Sequence, residues 1–390
     1  MKIVLVSPYF GKHFGGGEKY LIDCARILAG NHQVNIAVSV GSQNLKLQNP
    51  CLAGSPRAEA GRQPNTKQIS NSQLLNIKKE YESFFDVDLS RVEFIATPLF
   101  SPTNFLKKLL WTKQFDVIIY ETDGSLFFSL AKKNILHIQT PLKLSKSSPV
   151  ERLKLFNWQV KNTNSQFTKK VIEKAWQTKI DVVHYPMVNL RIKDLGLRKE
   201  KLILNVGRFF AHQHSKRQDV LVEIFADLIK KYPQETKGWQ LVLIGSVEDH
   251  VYADKVAEMS KDLPIKIIHE AKRQQILDYY QQASFYWHAT GFGVNELKHP
   301  EKVEHFGIST VEAMASGCVP VVLGKGGQVE VLGESLKDLL WQTKKECVEK
   351  TIEQIKNEKL RMQNAQLADK QAQKFGLAQF KQKLEKMIYA

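Results

Sequence analysis

The sequence is poor in cysteine and has no long apolar run. Only four of its 390 residues are cysteines, and they lie far apart with no metal-ligand spacing: Cys24, Cys51, Cys318 and Cys347. No apolar stretch reaches the roughly 20 residues that a membrane-spanning helix needs. The apolar N-terminus, MKIVLVSPYF, is too short for a signal peptide and predicts a first strand instead. We therefore expect a protein that is made and kept in the cytoplasm.

Acidic residues are also in deficit. The chain has 40 acidic and 56 basic residues, which gives a formal net charge of +16. Such an excess predicts an acidic partner, and nucleic acid, an anionic membrane and a phosphorylated substrate all fit it. The hydrophobic content of 43% suffices for ordinary cores.

Strands alternate with helices along most of the chain. This alternation predicts an α/β protein with two doubly wound domains. The first domain is expected over residues 1–188 and the second over residues 189–370, with a terminal helix over residues 371–390. A polar segment at 41–67 predicts a surface loop. The stretch 189–201 predicts the linker between the domains.

The strongest pattern lies from Glu304 to Pro320, which reads EHFGISTVEAMASGCVP. Glu304 belongs to a loop, and Glu312 is expected in the first turn of a buried helix that Ser309 or Thr310 would cap. Free N–H groups at the start of a helix favour an anion. Carboxylates, in turn, accept hydrogen bonds from sugar hydroxyls. The stretch therefore predicts a site for a sugar nucleotide.

This stretch resembles the Glu-x7-Glu signature of retaining glycosyltransferases of family 4. That family has the GT-B fold, in which two Rossmann-like domains face each other across a cleft and the terminal helix crosses back to the first domain. The resemblance implies that Glu304 contacts the donor sugar and that Glu312 binds the ribose. The segment between them would also bind the donor, through Phe306, Gly307, Ile308 and Ser309.

Other positions match the pattern of the family. Arg208 follows a predicted strand and Lys216 comes eight residues later, and the resemblance implies that both clamp the donor diphosphate. Glu270 and Ala271 would flank the nucleotide base. The loop with Gly16 and Gly17 would lie between donor and acceptor, although it is not the dinucleotide fingerprint G-x-G-x-x-G.

A further candidate lies at the end of the predicted strand NILHIQTP. The family places a histidine near the donor sugar in this region. His137 and Gln139 share one face of the strand because side chains alternate along it. We assign His137 as the catalytic candidate, and Gln139 stays open as the matching residue.

The resemblance implies a reaction and its partners. A hexosyl unit would pass with retention from a nucleoside diphosphate sugar, bound by the second domain, to a saccharide or lipid-linked acceptor on the first. No metal or other cofactor is expected, because Asp86 and Asp88 precede a strand, whereas an Asp-x-Asp metal motif follows one. The GGGE and EHFGI segments resemble mannosyltransferases that use GDP-mannose. Enzymes that use UDP-sugars share most of these residues, so both donors stay open.

Two alternative functions and one surface question remain. A GT-B sugar-nucleotide epimerase would need the donor site without an acceptor. A basic nucleic-acid-binding protein would explain the charge but leaves Glu304 and Glu312 without a role, so no nucleic-acid partner is expected. The basic amphipathic segment Phe105–Lys113 is expected to lay its apolar face on the sheet. Peripheral contact with an anionic membrane is its alternative role.

Overall fold

The computed structural model describes residues 1–11, 14–39, 69–142, 148–189, 199–212 and 214–389. The polar segment 41–67 and most of the predicted linker lie outside these ranges. Contacts divide the chain into two compact units. Unit 1 holds the described residues up to Met187 together with the chain from Phe380 onward, and unit 2 holds those from Val188 to Gln379.

Unit 1 is built on a parallel sheet of seven strands in the order β3-β2-β1-β4-β5-β6-β7. Its strands are β1 (Lys2–Val6), β2 (Gln33–Ser39), β3 (Val92–Thr97), β4 (Val117–Glu121), β5 (Lys133–Ile138), β6 (Val160–Thr163) and β7 (Val182–Val183). The helices between them are α1 (Gly16–Leu28), α2 (Asn71–Phe85), α3 (Phe105–Lys113), α4 (Pro149–Phe156) and α5 (Gln166–Trp176).

Side-chain alternation along these strands builds a core on each face of the sheet. Ile3 and Leu5 of β1 pack into one core, and Val4 and Val6 pack into the other. Parallel strands are buried on both faces because their crossover helices cover both. This is why the strands read as continuous apolar runs.

Unit 2 is built on a parallel sheet of six strands in the order β10-β9-β8-β11-β12-β13. Its strands are β8 (Glu200–Val206), β9 (Gln240–Ile244), β10 (Ile265–Ile268), β11 (Ala283–His288), β12 (Val319–Leu323) and β13 (Leu340–Trp341). Its helices are α6 (Gln218–Lys231), α7 (His250–Met259), α8 (Arg273–Gln282), α9 (Ile308–Ala315), α10 (Gln328–Leu332), α11 (Lys344–Lys356) and α12 (Glu358–Ala372). Short 3-10 turns occupy Pro300–Lys302, Glu334–Leu339 and Gln373–Phe375.

The last helix, α13 (Leu377–Tyr389), joins the core of unit 1. It inserts side chains at helical spacing beside Ile3 and Leu5, namely Phe380, Leu384, Met387 and Ile388. The two doubly wound sheets and the returning helix confirm the predicted fold class. Of the four cysteines, Cys24, Cys318 and Cys347 are buried free thiols, and Cys51 lies outside the described residues.

The expectation for α3 is wrong in part. Trp111 packs against the core and Thr112 is buried, but Phe105, Leu106 and Leu110 expose 59%, 58% and 56% of their surface. A helix of nine residues has room for only one narrow contact with the sheet. Most of its apolar side chains therefore face away from the sheet.

Candidate functional site

Three residues predicted to bind the donor, Arg208, Lys216 and Glu304, lie in unit 2 on the segments that follow β8 and β11. These two strands are neighbours at the centre of the sheet, and the chain leaves them toward opposite edges. Open parallel sheets bind ligands at such a point, beyond the carboxyl ends of the strands. The loop with Arg208 and Lys216 follows β8. His288 ends β11, and Glu304 precedes α9.

Glu304 is the centre of a three-residue cluster. Its Oε2 atom lies 2.5 Å from Lys216 Nζ and 3.0 Å from His288 Nε2. Burial would raise the pKa of the Glu304 carboxyl, but the Lys216 ammonium and the His288 bond outweigh it and hold that pKa well below its usual range. Glu304 is therefore a carboxylate at neutral pH. Its Oε2 atom is engaged, so Oε1 is the oxygen that can serve a ligand.

His288 is a residue that sequence reasoning missed. It is fully buried, and burial lowers the pKa of its imidazole. A neutral ring that donates from Nε2 to Glu304 leaves Nδ1 without a hydrogen, and Nδ1 is buried with no partner among the described residues. Its place at the end of a predicted strand was the available signal.

Glycines let the backbone close around this cluster. A Cβ on Gly207 would lie 2.5 Å from Lys216 Cγ. A Cβ on Gly326 would lie 2.2 Å from the carbonyl oxygen of Glu304, and one on Gly327 would lie 2.3 Å from that of His305. Any larger residue at these positions would displace the Lys216 side chain or the loop that carries Glu304.

The predicted helix cap is wrong. Gly307, with a φ of 112°, is the N-cap of α9, so the helix begins at Ile308 and Glu312 lies in its second turn. Ser309 instead bonds the hydroxyl of Tyr286 at 2.8 Å, and Thr310 accepts a bond from Gln328. Gly307 takes the cap because its backbone has a left-handed conformation that favours glycine. The side chain of Phe306, next to it, is buried.

Two more ion pairs hold predicted site residues. Arg208 Nη1 bonds both carboxylate oxygens of Glu248, at 2.8 and 2.9 Å, and about half of the Arg208 side chain is exposed. Glu312 Oε1 lies 2.5 Å from Arg273 Nη2, and Glu312 is buried to 9% exposure. Both partners, Glu248 and Arg273, were missed because nothing in the sequence near them marks the pairing.

The last donor residues predicted in unit 2 lie at the edge of the loop before α8. Glu270 is exposed and has a φ of 57°, and Ala271 is half-buried. Glu270 makes no ion pair within the described part of the chain. Their assignment to the nucleotide base stays a prediction.

The Gly-rich loop of unit 1 lies beside two buried carboxyl groups. Gly16 begins α1 and is exposed, but a Cβ on Gly17 would lie 1.6 Å from Glu121 Oε1. Glu18 and Glu121 are both buried to 4% exposure, and burial raises the pKa of each carboxyl. The prediction that Gly16 and Gly17 lie between donor and acceptor stays a prediction.

His137, the predicted catalytic residue of unit 1, is covered by neighbouring side chains. Its side chain has no exposed surface, and its ring stacks on Tyr20 with centroids 3.7 Å apart. Nδ1 lies 2.6 Å from Asn162 Oδ1, and Nε2 lies 2.8 Å from the Gln139 side chain. Strand alternation alone could not show that these neighbours cover the ring.

The Asp-x-Asp pair lies in a turn. Asp86 ends α2 with a φ of 52°, and Asp88 accepts a bond from the backbone N–H of Ser90. In the part of the chain that the structure describes, no group of three potential metal-binding side chains is found. No helix there is long and apolar enough to cross a membrane.

Comparison with known proteins now identifies the domain that carries this cluster. Residues 189–371 match the family model described as glycosyl transferases group 1. The match covers slightly less than half of the chain and supports a glycosyltransferase.

Named relatives match part of the chain. Proteins named GDP-Man:Man(3)GlcNAc(2)-PP-Dol alpha-1,2-mannosyltransferase, from Neurospora crassa and Homo sapiens, are 29% and 26% identical to this chain over 44% and 42% of its length. The match covers 35% and 34% of those relatives, so the chain spans about a third of their length.

Solved structures extend the likeness to the whole chain. Anabaena HepE in complex with UDP is 16% identical with a TM-score of 0.68, over 100% of this chain and 99% of that one. WaaG, a glycosyltransferase involved in lipopolysaccharide biosynthesis, is 14% identical with a TM-score of 0.57, over 100% of both chains. These likenesses show that the chain has the GT-B fold.

Proposed function

We propose that this protein is a retaining glycosyltransferase of family 4 that moves a hexosyl unit from a nucleoside diphosphate sugar to an acceptor hydroxyl. The observation that carries the proposal is the cluster of Lys216, Glu304 and His288 at the ends of β8 and β11. It combines a cation for a departing phosphate with a carboxylate for the developing positive charge on the sugar ring.

The charged side chains of the cluster have separate roles in the proposed reaction. Arg208, held by Glu248, and Lys216 stabilise the negative charge that develops on the diphosphate. When the donor binds, Lys216 exchanges part of its contact with Glu304 for a phosphate oxygen. Glu304 keeps its bond to His288 and offers Oε1 to the sugar.

The retaining step is proposed as attack from the same face that the diphosphate leaves. The bond from the sugar carbon to the phosphate oxygen breaks as the bond to the acceptor oxygen forms. The leaving phosphate accepts the proton of the acceptor hydroxyl, so the charges balance without a metal ion. Activity is expected to persist in EDTA, and loss with chelator followed by rescue with manganese would contradict this.

GDP-mannose is the proposed donor, and a lipid-linked saccharide is the proposed acceptor. The names of the sequence relatives and the GGGE and EHFGI segments support both. UDP-glucose is the contrasting donor, since Anabaena HepE was solved with it. A thermal-shift panel of nucleoside diphosphates decides the base, because a ligand at 100 times its dissociation constant stabilises the protein by about 2.7 kcal/mol.

A lipid-linked acceptor implies contact with a membrane, and unit 1 has a surface that fits one. We define the apolar strip as exposed residues of α3, α4 and the segment before β5: Phe105, Leu106, Leu110, Leu130, Val150, Leu153 and Phe156. Hydrogen bonds connect the segment before β5 to both helices. Leu130 N–H bonds Thr112 of α3, and Ser129 N–H bonds Asn157 at the end of α4.

Basic residues accompany the strip. Lys107 and Lys108 lie on α3, and Arg152 and Lys154 lie on α4. Exposed apolar side chains insert into the membrane interface, and the basic ones beside them are attracted to anionic lipid headgroups. We therefore propose that the strip docks unit 1 on an anionic membrane surface.

Vesicle co-sedimentation tests this docking. The wild type should sediment with vesicles that contain anionic lipid and much less with neutral ones. The variant Phe105→Ser/Phe156→Ser should lose most of the binding. Leu297→Ser, which changes a residue of unit 2 that is 91% exposed, is the matched control and should bind as the wild type does. Equal binding of all three proteins would contradict the docking surface.

Product analysis tests the reaction itself. Each donor of the panel is supplied with a saccharide acceptor, and the products are separated by mass spectrometry. A glycosylated product supports the transferase, whereas an epimerised nucleotide sugar without such a product would identify an epimerase. Filter binding of nucleic acid at varied salt tests the alternative that the protein binds nucleic acid. We expect no specific complex.

A further inference from the structure

We propose that Gln139 is the residue of unit 1 that contacts a sugar hydroxyl of the substrate, and that the buried His137 acts only by orienting the Gln139 amide. This rests on the glycosyltransferase function proposed above. Gln139 directly follows β5 and is partly exposed, whereas His137 has no exposed surface. It lies at the carboxyl edge of a parallel sheet, where such folds bind ligands.

The orientation of Gln139 follows from a chain of buried hydrogen bonds that begins at α13. His184 Nε2 lies 3.0 Å from the carbonyl oxygen of Phe380, which can only accept, so Nε2 carries the proton. Burial lowers the pKa of His184 to about 3, so its ring is neutral. Its Nδ1 atom then accepts the hydroxyl proton of Tyr20 at 2.6 Å.

The next step fixes the tautomer of His137. Asn162 donates from Nδ2 to the carbonyl oxygen of Leu136, which leaves Oδ1 as its acceptor. Tyr20 donates its hydroxyl proton to His184. Asn162 Oδ1 can only accept, so His137 Nδ1, which lies 2.6 Å from it, carries the hydrogen of that bond. Burial lowers the pKa of His137 to about 4, so at neutral pH Nε2 carries no proton.

The Gln139 amide lies next to this unprotonated Nε2 atom of His137. The contact joins Gln139 Oε1 and His137 Nε2, which lie 2.8 Å apart. Both atoms are acceptors in the tautomer derived above, and the oxygen and nitrogen of an amide are assigned from the hydrogen bonds they can make. We therefore assign them the other way round, with the NH2 group of Gln139 toward His137 and its carbonyl oxygen outward. Stacking on Tyr20, with the two ring planes 9° apart, prevents His137 from rotating away.

An outward carbonyl oxygen selects the chemistry of its ligand. It accepts a hydrogen bond from a hydroxyl and repels a phosphate oxygen. The neighbouring strand supplies Glu121, whose Cα is in register with that of His137, and α1 supplies Glu18. Neither carboxyl group has an ion-pair partner in the described ranges, and Glu121 Oε2 is buried without a partner there. This edge of unit 1 therefore suits the hydroxyls of a neutral saccharide.

A double-mutant cycle tests the assignment. Gln139→Met removes the acceptor, and His137→Phe keeps the stacking ring but no longer orients the amide. Each change should lower kcat for the best donor of the panel about tenfold, the scale of one lost hydrogen bond. The double variant should be no slower than either single one, because both remove the same contact. Affinity for the free nucleoside diphosphate should not change in any of the three.

One control variant tests whether the effect is specific to position 139. Gln33→Met changes an exposed glutamine at the amino end of β2 and should leave kcat unchanged. Wild-type kcat in Gln139→Met, or effects that multiply in the double variant, would overturn the proposal.

A spectrum that needs no turnover separates this proposal from the proposed function. ¹⁵N NMR of the histidine-labelled wild type should show His137 as the neutral tautomer with hydrogen on Nδ1. A charged ring or hydrogen on Nε2 would overturn the orientation of Gln139. Absence of transfer with every donor would instead count against the transferase.

Discussion

The variant Glu304→Gln is the most direct test of the carboxylate at the centre of the site. It keeps the shape of the side chain and removes the negative charge of the carboxylate, whose Oε2 atom contacts Lys216 and His288. The lost charge acts on the positive sugar ring of the transition state. Removal of one preorganised electrostatic contact costs about 3 kcal/mol, so kcat should fall on the order of 100-fold.

The ligand-free ion pair adds a second expectation for the same variant. Lys216 is bound to Glu304 before the donor arrives, so loss of the charge frees the ammonium for a phosphate. The free nucleoside diphosphate has no sugar to contact Glu304. It should therefore bind Glu304→Gln as tightly as the wild type or more tightly.

Steady-state kinetics and calorimetry with the nucleoside diphosphate supply both measurements. Glu301→Gln is the matched control, because Glu301 lies three residues away and pairs only with His299 among the described residues. It should change neither quantity. Loss of diphosphate binding in Glu304→Gln, with kcat retained, would refute the assigned role of Glu304.

Four further variants probe other groups. Arg208→Ala and Lys216→Ala should each lower kcat on the order of 100-fold while the fold survives, since each removes one cation from the leaving diphosphate; near-normal rates in both would remove them from the site. Glu312→Gln should mainly raise KM for the donor and weaken binding of the free diphosphate, because a ribose contact is remote from bond breaking; a fall in kcat alone would contradict that role. Glu121→Gln should flatten the dependence of the melting temperature on pH, because burial and Glu18 raise the pKa of Glu121 in the folded protein. Above the ordinary glutamate pKa the folded wild type binds more protons than the unfolded chain, so its stability falls as pH rises, and a profile of unchanged slope in the variant would contradict the raised pKa.

The sequence predicted most of the framework. Apolar runs that alternate with amphipathic segments located most strands, and β1 was predicted with its observed bounds of Lys2–Val6. The elements that escaped prediction, such as α4, β6 and α7, are short or carry few large apolar residues. With few positions, their periodicity is too weak to detect.

The partners of the site residues could not be predicted. Glu248 is 40 positions from Arg208, and Arg273 is 39 positions from Glu312. Such pairs form only when segments far apart in the sequence meet in the fold, so a local sequence pattern does not predict them. His137 illustrates the same limit, because its burial depends on Asn162 and on helix contacts distant in the chain.

The stereochemistry of transfer tests the central claim most directly. A nucleoside diphosphate α-hexose labelled with ¹³C at the anomeric carbon is incubated with the wild type and with Glu304→Gln, and NMR follows the first product. We expect the wild type to form the α-linked product and Glu304→Gln to form it about 100-fold more slowly. A β-linked first product, or equal rates in the two proteins, would contradict a retaining enzyme centred on Glu304.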